Sequence, residues 1–182
     1  LDKSGKGPII RNRCRLDSAE GRSYLVSGKE AVRRIREEGV RGFAIYAGKQ
    51  SHGTADMVFT DHDDITKFPP EMLPESFTVR SGSGRGYHRT YLNDGNVRSS
   101  KAKGNKAGGG EVRANNWYVI TPGSIHPSGG IYHVVTDSEV VTLRPEDLPD
   151  ELRPASDPVN KKQTKSVGQQ DGPASSNPML PD

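Results

Sequence analysis

The 182-residue sequence has few cysteines, few aromatic residues and no long apolar segment, and these scarcities exclude several classes of protein. Its single cysteine, Cys14, excludes an internal disulfide and a cysteine-based zinc site within this sequence. No apolar run approaches the roughly 18–20 residues that a membrane span needs, and no segment has the pattern of a signal peptide. We therefore expect a cytoplasmic protein with no membrane partner.

Apolar residues are also too scarce to form a core along the whole length, since only 31% of the residues are hydrophobic. Residues 154–182 are rich in Pro, Ser, Gln, Asn, Gly and Lys. Such a segment cannot bury enough apolar surface to offset the entropy lost on ordering. The sequence therefore predicts one folded domain over residues 1–153 and a disordered tail or linker over residues 154–182.

The folded part has the pattern of an α+β protein. Ser27 and Glu30 form a capping box, and apolar residues at helical spacing follow until Gly39, which predicts a helix. A second short helix is expected near Pro145, because proline suits a first helical turn and the acids after it favour the positive end of a helix. Short apolar runs separated by turn residues predict strands at 43–46, 57–60, 77–80, 88–92, 117–121, 131–135 and 140–143.

Charge is segregated along the chain. Residues 56–76 carry six acids and one lysine, whereas residues 78–113 carry eight bases and two acids. An acidic segment beside a basic one suits a divalent metal together with phosphate, because the metal bridges carboxylate and phosphate oxygens. Two solvated surfaces of opposite charge would explain the same distribution equally well.

A pair of acids, Asp61 and Asp63, closes the predicted strand at 57–60. Alternate side chains of a strand leave the same face, so Asp61 and Asp63 share one face, and His62 and Asp64 take the other. Two carboxylates about 7 Å apart can share hard cations such as magnesium or manganese, and without a cation they repel each other. Acidic turns after strands are common, however, and sugar-transferring enzymes use the same DxD pattern for metal–nucleotide binding.

A glycine-rich stretch, Arg-Ser-Gly-Ser-Gly-Arg-Gly-Tyr-His, occupies residues 80–88. Its glycines permit a close backbone approach, and their amides can cradle phosphate oxygens. The stretch is neither a P-loop nor a dinucleotide-binding fingerprint, and a glycine-rich hairpin loop is the structural alternative. The candidate phosphate-binding side chains are Arg80, Ser81, Ser83, Arg85 and His88.

A third pattern begins at Glu111 and runs through an apolar strand into the turn Pro-Gly-Ser-Ile-His-Pro-Ser-Gly at residues 122–129. Glu111 is a candidate third metal ligand or a surface glutamate that pairs with Arg113. Ser124 and His126 are candidates for contacting a sugar or phosphate, although turn formation alone would explain the Pro and Gly residues.

In this order and spacing, the three patterns resemble the archaeo-eukaryotic primase superfamily, over roughly residues 40–135. They look most like the bifunctional primase–polymerase domain found in archaeal plasmids, viruses and phages. That family's signature is a strand ending in DxD or DxE, a glycine-rich turn with small-x-His, and a strand carrying a further acid. These correspond here to Asp61-His-Asp63, Gly86-Tyr-His88 and Glu111. The third acid of the family is usually Asp, so Glu111 is a departure.

The resemblance implies an RRM-like catalytic module with an antiparallel-rich sheet, packed against a smaller N-terminal αβ module. The implied reaction is template-directed nucleotidyl transfer from nucleoside triphosphates on single-stranded DNA, during replication of a plasmid, virus or related element. Asp61, Asp63 and Glu111 would hold two divalent ions, Mg²⁺ or Mn²⁺. The implied nucleotide-binding residues are Arg80, Ser81, Ser83, Arg85, His88, Arg113, Ser124 and His126.

A second hypothesis is a catalytically degenerate member that binds nucleotide or DNA during replication without synthesis. Because the chain contains no P-loop motif, any helicase activity would belong to another domain or to a partner protein.

Overall fold

The computed structural model describes residues 18–19, 23, 25–49, 55–100 and 109–153. The predicted tail over residues 154–182 lies outside the described residues, so the division of the chain at residue 153 stays a prediction. Within the described part of the chain, no helix has the length and apolar character required to cross a membrane.

The predicted N-terminal helix is confirmed as α1, Gly28–Glu38. The Ser27 hydroxyl caps it by accepting a hydrogen bond from the Glu30 amide at 3.2 Å, and Gly39 ends it in the left-handed conformation (φ 64°). The Glu30 carboxylate pairs with Arg33 and Arg34 on the next turn of the helix, each at 2.8 Å.

Nine strands lie within the described ranges, and mainly antiparallel pairing joins them. In chain order they are β1 Ala44–Tyr46, β2 Gly48–Lys49, β3 Asp56–His62, β4 Thr78–Arg80, β5 Tyr87–Asn93, β6 Gly110–Arg113, β7 Tyr118–Ile120, β8 His133–Thr136 and β9 Thr142–Leu143. β3 and β5 pair along most of their length and form the centre of a seven-stranded sheet. β2 and β6 pair with the other edge of β3, β4 joins β5 to β8, and β9 runs parallel to β5. β1 and β7 form a separate two-stranded ribbon.

All seven predicted strands are therefore confirmed, with boundaries shifted by one or two residues. β2 was not predicted, because it consists of only a glycine and a lysine. β6 was expected only through the family resemblance, which places Glu111 on a strand, because its own residues lack an apolar alternation. The second short helix, expected near Pro145, starts there but forms as a 3₁₀ turn, Pro145–Asp147, and not as an α-helix. The Asp147 carboxylate caps it by accepting from the Arg144 amide at 2.8 Å, and Pro149 prevents the turn from continuing as a helix.

The two faces of β3 pack against different partners. Val58 lies on the face covered by the larger apolar cluster, whereas Phe59 lies on the other face and packs against Ala47 and Val119 beside the β1–β7 ribbon. Asp61 shares the face of Phe59, because strand side chains alternate. The end of β3 therefore presents Asp61 between the sheet and the ribbon. The larger cluster comprises Val58, Phe68, Leu73, Tyr91, Val97, Val112, Ala114, Leu143, Leu148 and Leu152.

Candidate active site

The sheet register brings the three sequence patterns together. Asp61 on β3 lies directly opposite His88 on β5 and directly opposite Glu111 on β6. Residues opposite each other in antiparallel strands project their side chains from the same face. Asp61, His88 and Glu111 therefore form one row across three neighbouring strands, and all three are buried, at 5%, 7% and 8% exposure.

Two glycines allow the chain to approach the end of β3 closely. A Cβ atom on Gly110 would collide with the backbone oxygen of Asp61, and one on Gly86 would lie 2.7 Å from the backbone oxygen of His62. Both positions therefore require glycine. Through them, β6 and the glycine-rich loop pack directly against the backbone at the end of β3.

The Arg113 guanidinium lies between two buried carboxylates. It contacts Asp61 Oδ2 through Nη2 and donates to Glu111 Oε1 through Nε at 2.7 Å and Nη2 at 2.6 Å. A further hydrogen bond, from Nη1 to the Tyr118 carbonyl at 3.0 Å, holds the guanidinium in place. The pairing of Glu111 with Arg113 considered from the sequence is therefore present, but it is buried and shared with Asp61.

His88 lies on the other side of the Asp61 carboxylate, with Nε2 3.2 Å from Oδ1. Burial raises the pKa of Asp61, but the hydrogen bond from His88 and the positive charges of His88 and Arg113 outweigh burial and hold that pKa below its ordinary value. The second ring nitrogen of His88, Nδ1, is buried and finds no hydrogen-bond partner among the described residues. A buried polar atom of this kind is costly and marks a candidate functional group.

The other two acids at the end of β3 have different surroundings. Asp63 faces the same cavity as Asp61, and partial burial together with the negative charge of Asp61 raises the pKa of the Asp63 carboxyl. Asp64 does not line that cavity. Its carboxylate accepts hydrogen bonds from the Thr66 hydroxyl (2.6 Å) and amide (3.1 Å) and pairs with Lys67 at 3.2 Å. The hydrogen bonds from Thr66 lower the pKa of Asp64.

A cavity of about 560 Å³ opens in front of these groups, which is within the usual size range of small-molecule sites. The glycine-rich loop contributes Ser81, Ser83 and Arg85 to its lining. β7 and the residue before it contribute an aromatic and apolar wall. The residues of this wall are Trp117, Tyr118 and Ile120.

Three of the residues predicted for the site lie behind the cavity lining. Arg80 donates to the Gly84 carbonyl at 2.9 Å and therefore braces the glycine-rich loop from within. The buried Ser124 hydroxyl accepts from the Phe43 amide at 3.2 Å, which ties the turn after β7 to the start of β1. Glu111 does not line the cavity itself, but it pairs with Arg113, which does. The predicted residues that line the cavity are Asp61, Asp63, Ser81, Ser83, Arg85, His88, Arg113 and His126.

The aromatic residues around the cavity were not predicted as site residues. Tyr132 is buried, and its ring lies 5.8 Å from that of His88 and 5.9 Å from that of His126. Trp117 and Tyr118 belong to a segment that was predicted only as an apolar strand. Their composition is that of an ordinary core strand, so only the tertiary pairing of β7 with β1 reveals their position.

His62, between the two acids, has a structural role on the opposite face. Its ring stacks on Phe68 at 4.1 Å, Nδ1 lies 3.0 Å from the Phe68 carbonyl, and Nε2 lies 2.9 Å from the Thr60 hydroxyl. Burial lowers the pKa of His62 to about 4, so the ring is neutral and both nitrogens are satisfied.

The carboxylates suit a divalent cation by their chemistry, because hard cations prefer carboxylate oxygens. The raised pKa of Asp63 reflects partial burial first and, after it, the negative charge of Asp61. As the side chains stand, however, no group of three His, Cys, Asp or Glu residues in the described ranges is placed to hold a metal ion. Between Asp61 and Glu111, the positive charge is supplied by Arg113.

Comparison with known proteins gives one family. The family model described as bifunctional DNA primase/polymerase, N-terminal, matches residues 29–151, which is more than half of the chain. The matched range begins in α1 and contains every residue that lines the cavity. No curated protein matches the chain at a significant level of similarity.

Proposed function

The chain belongs to the family of bifunctional DNA primase/polymerase N-terminal domains, and we propose that it catalyses template-directed nucleotidyl transfer on single-stranded DNA. Family membership gives it a primase/polymerase type of function in DNA replication. The proposal adds that it makes or extends primers for a plasmid, virus or related element of archaeal type. The observation that carries the proposed reaction is the row of Asp61, His88 and Glu111 beside a cavity that the glycine-rich loop also lines.

We propose that Asp61 and Asp63 are the principal ligands of two divalent cations, Mg²⁺ or Mn²⁺, with Glu111 as a third carboxylate. The proposal is supported by the shared cavity of Asp61 and Asp63 and by the raised pKa of Asp63. When bound, such ions lower the pKa of a primer 3′-hydroxyl and stabilise the departing pyrophosphate. For Glu111 to contribute, its ion pair with Arg113 must open.

The triphosphate of the incoming nucleotide is assigned to the glycine-rich loop. Ser81, Ser83 and Arg85 present hydroxyl and guanidinium donors to the cavity, and His88 adds a ring nitrogen. Arg113 and His126 line the same space and complete the set. Arg80 and Ser124 support it from behind by fixing the loop and the turn. No side-chain nucleophile is required, because positioning and electrostatic stabilisation are sufficient for nucleotidyl transfer.

We also propose that the sheet centred on β3 and β5 is the RRM-like catalytic module of the family and that α1 belongs to the smaller N-terminal αβ module. The antiparallel pairing of the sheet and the position of the acids at the end of β3 support this assignment.

One observation favours the second hypothesis, a degenerate domain that binds nucleotide or DNA without synthesis. Arg113 already pairs with both Asp61 and Glu111 and offsets part of their negative charge, so a metal is not the sole source of positive charge beside these buried carboxylates. Under this hypothesis, nucleotide and single-stranded DNA bind, but added Mg²⁺ or Mn²⁺ produces no new DNA or RNA.

A primer synthesis assay on single-stranded DNA, with labelled nucleotides and either Mg²⁺ or Mn²⁺, tests the proposal. Asp61→Asn and Asp63→Asn are expected to abolish synthesis without loss of folding. Asp64→Asn is the matched control, and it should stay within a few-fold of the wild type because Asp64 lies outside the cavity. If Asp64→Asn is as severe as the other two at an unchanged melting temperature, the assignment of the strand face is wrong. Full synthesis by Asp61→Asn would remove Asp61 from the catalytic set.

A further inference from the structure

One large aromatic side chain remains exposed within the proposed active site. Trp117 is the only tryptophan of the chain, it is 39% exposed, and it lines the cavity together with Asp61 and Asp63. Tryptophan is highly buried on average in folded proteins, so an exposed indole in the same cavity as the buried carboxylate of Asp61 is a candidate contact for a ligand. We propose that Trp117 is a stacking platform for a nucleobase that enters this cavity.

The backbone around Trp117 is fixed. Its carbonyl accepts a hydrogen bond from the Ala47 amide at 2.8 Å. The Ser99 hydroxyl bonds both to the amide and to the carbonyl of Ala114, at 2.9 and 2.8 Å, at the start of the turn. Asn116, directly before the tryptophan, is the one residue other than glycine with a positive φ (68°) in the described ranges. A ring presented from a fixed turn loses little conformational freedom when a ligand stacks on it.

Arg113 connects the indole to the carboxylates. Its guanidinium lies over the Trp117 ring, 5.9 Å from the centroid, and the same guanidinium pairs with Asp61 and Glu111. A base stacked on Trp117 is therefore held beside the proposed reaction centre. Tyr118 and Ile120 continue the apolar wall, while the loop residues Ser81 and Ser83 present polar groups to the same cavity. This division between apolar and polar lining matches a ligand with a planar base and a charged phosphate chain.

This inference rests on the proposed function, because it assumes that nucleotides or DNA enter the cavity. The group that stacks on Trp117 is a planar nucleobase. It belongs either to the incoming nucleotide or to the single-stranded DNA. Since the chain contains one tryptophan, fluorescence excited at a wavelength that tyrosine does not absorb reports on Trp117 alone.

The test is a fluorescence titration of the full chain in Mg²⁺ with two matched ligand pairs. The first pair is a nucleoside triphosphate and inorganic tripolyphosphate. The second is a short single-stranded oligodeoxynucleotide and an abasic oligomer of the same length. We expect at least one base-carrying ligand to quench the fluorescence, whereas its base-free counterpart does not. The pair that shows the difference identifies the source of the base. Equal quenching by both members of both pairs would overturn the inference.

Affinities measured by calorimetry complete the test. Trp117→Leu is expected to weaken binding of the quenching ligand about tenfold, because base–aromatic stacking contributes on that scale, and Trp117→Phe should weaken it less. Binding of the base-free ligand should not change. Met72→Ala is the control, since Met72 is 50% exposed and lies outside the cavity lining.

The Trp117→Phe variant keeps an aromatic ring at this position, so it decides the question if Trp117→Leu does not fold. Unchanged affinity of the folded variants overturns the inference and leaves the proposed function standing. Failure of the wild type to bind any nucleotide or DNA overturns both.

Discussion

Removal of the Arg113 guanidinium tests the electrostatic account of the site most sharply. In Arg113→Met, the side chain keeps much of its length but loses its charge, so Asp61 and Glu111 lose their shared partner. Both carboxylates belong to residues that are less than a tenth exposed. Breaking a buried ion pair by removing one partner costs roughly 3–5 kcal/mol. The Arg113 side chain is itself 20% exposed, so water reaches part of the cluster and we expect a loss of about 3 kcal/mol.

The loss should depend on pH and on divalent metal. In the wild type, the lowered pKa of Asp61 contributes stability above the unfolded value of about 4, and this stability is lost as the pH falls through the folded pKa. Without Arg113, one of the groups that lower the pKa of Asp61 is lost and only His88 still opposes burial strongly, so this pKa rises relative to the wild type. The difference in unfolding free energy between wild type and variant should therefore be largest near pH 7 and shrink below about pH 4. Added Mg²⁺ should stabilise the variant more than the wild type, because the cation replaces the missing positive charge.

Urea unfolding in EDTA and in Mg²⁺, at pH 7 and pH 4, measures all of these quantities. Arg33→Met serves as the control, since Arg33 pairs with Glu30, Glu37 and Glu38 on an exposed helix surface and should have little effect. If Arg113→Met is as stable as the wild type in EDTA at pH 7, the guanidinium does not stabilise the two buried carboxylates. Equal Mg²⁺ stabilisation of both proteins would show that the cation does not bind where Arg113 lies.

Three further predictions follow from individual residues. His88→Ala should weaken nucleoside triphosphate binding more than single-stranded DNA binding; equal losses with a lower melting temperature would indicate a structural role. Because burial holds the pKa of His62 at about 4 against an ordinary value of 6.5, the unfolded state binds the proton first and stability falls as the pH drops from 6.5 to 4. In urea unfolding, His62→Phe should lack this part of the pH dependence, roughly 3 kcal/mol, and an unchanged pH profile would contradict it. Gly110→Ala should destabilise the fold by about 1–3 kcal/mol in thermal unfolding, because the new Cβ collides with the Asp61 carbonyl, whereas Gly28→Ala on α1, with open space around it, should be neutral or stabilising.

Local chemistry in the sequence was sufficient to predict α1 and most of the strands. The Ser27 cap and Gly39 bracket the helix, and apolar runs bounded by turn residues give the seven strands. The alternation of side chains along β3 also predicted that Asp61 and Asp63 share a face that Asp64 leaves, and the structure places the first two in the cavity and Asp64 outside it.

The contacts that assemble the site depend on pairing between distant segments, which a single sequence does not specify. β6 lacks the alternation of a strand, so its register opposite Asp61 was not predictable from Glu111 and its neighbours. The sequence left open whether Glu111 is a metal ligand or a surface residue that pairs with Arg113, whereas β3 and β6 bury the Glu111–Arg113 pair against Asp61. Trp117 has the composition of a core strand, and its place in the cavity follows only from the pairing of the β1–β7 ribbon.

The most direct test of the proposed reaction is the identity of the nucleotide that the protein incorporates on homopolymeric single-stranded DNA templates. With Mg²⁺ or Mn²⁺ and all nucleotides present, a template-directed enzyme incorporates only the labelled nucleotide complementary to each template, and the Asp61→Asn variant incorporates none. Incorporation that does not depend on the template, or binding of nucleotide and DNA without any incorporation in either metal, would contradict the account.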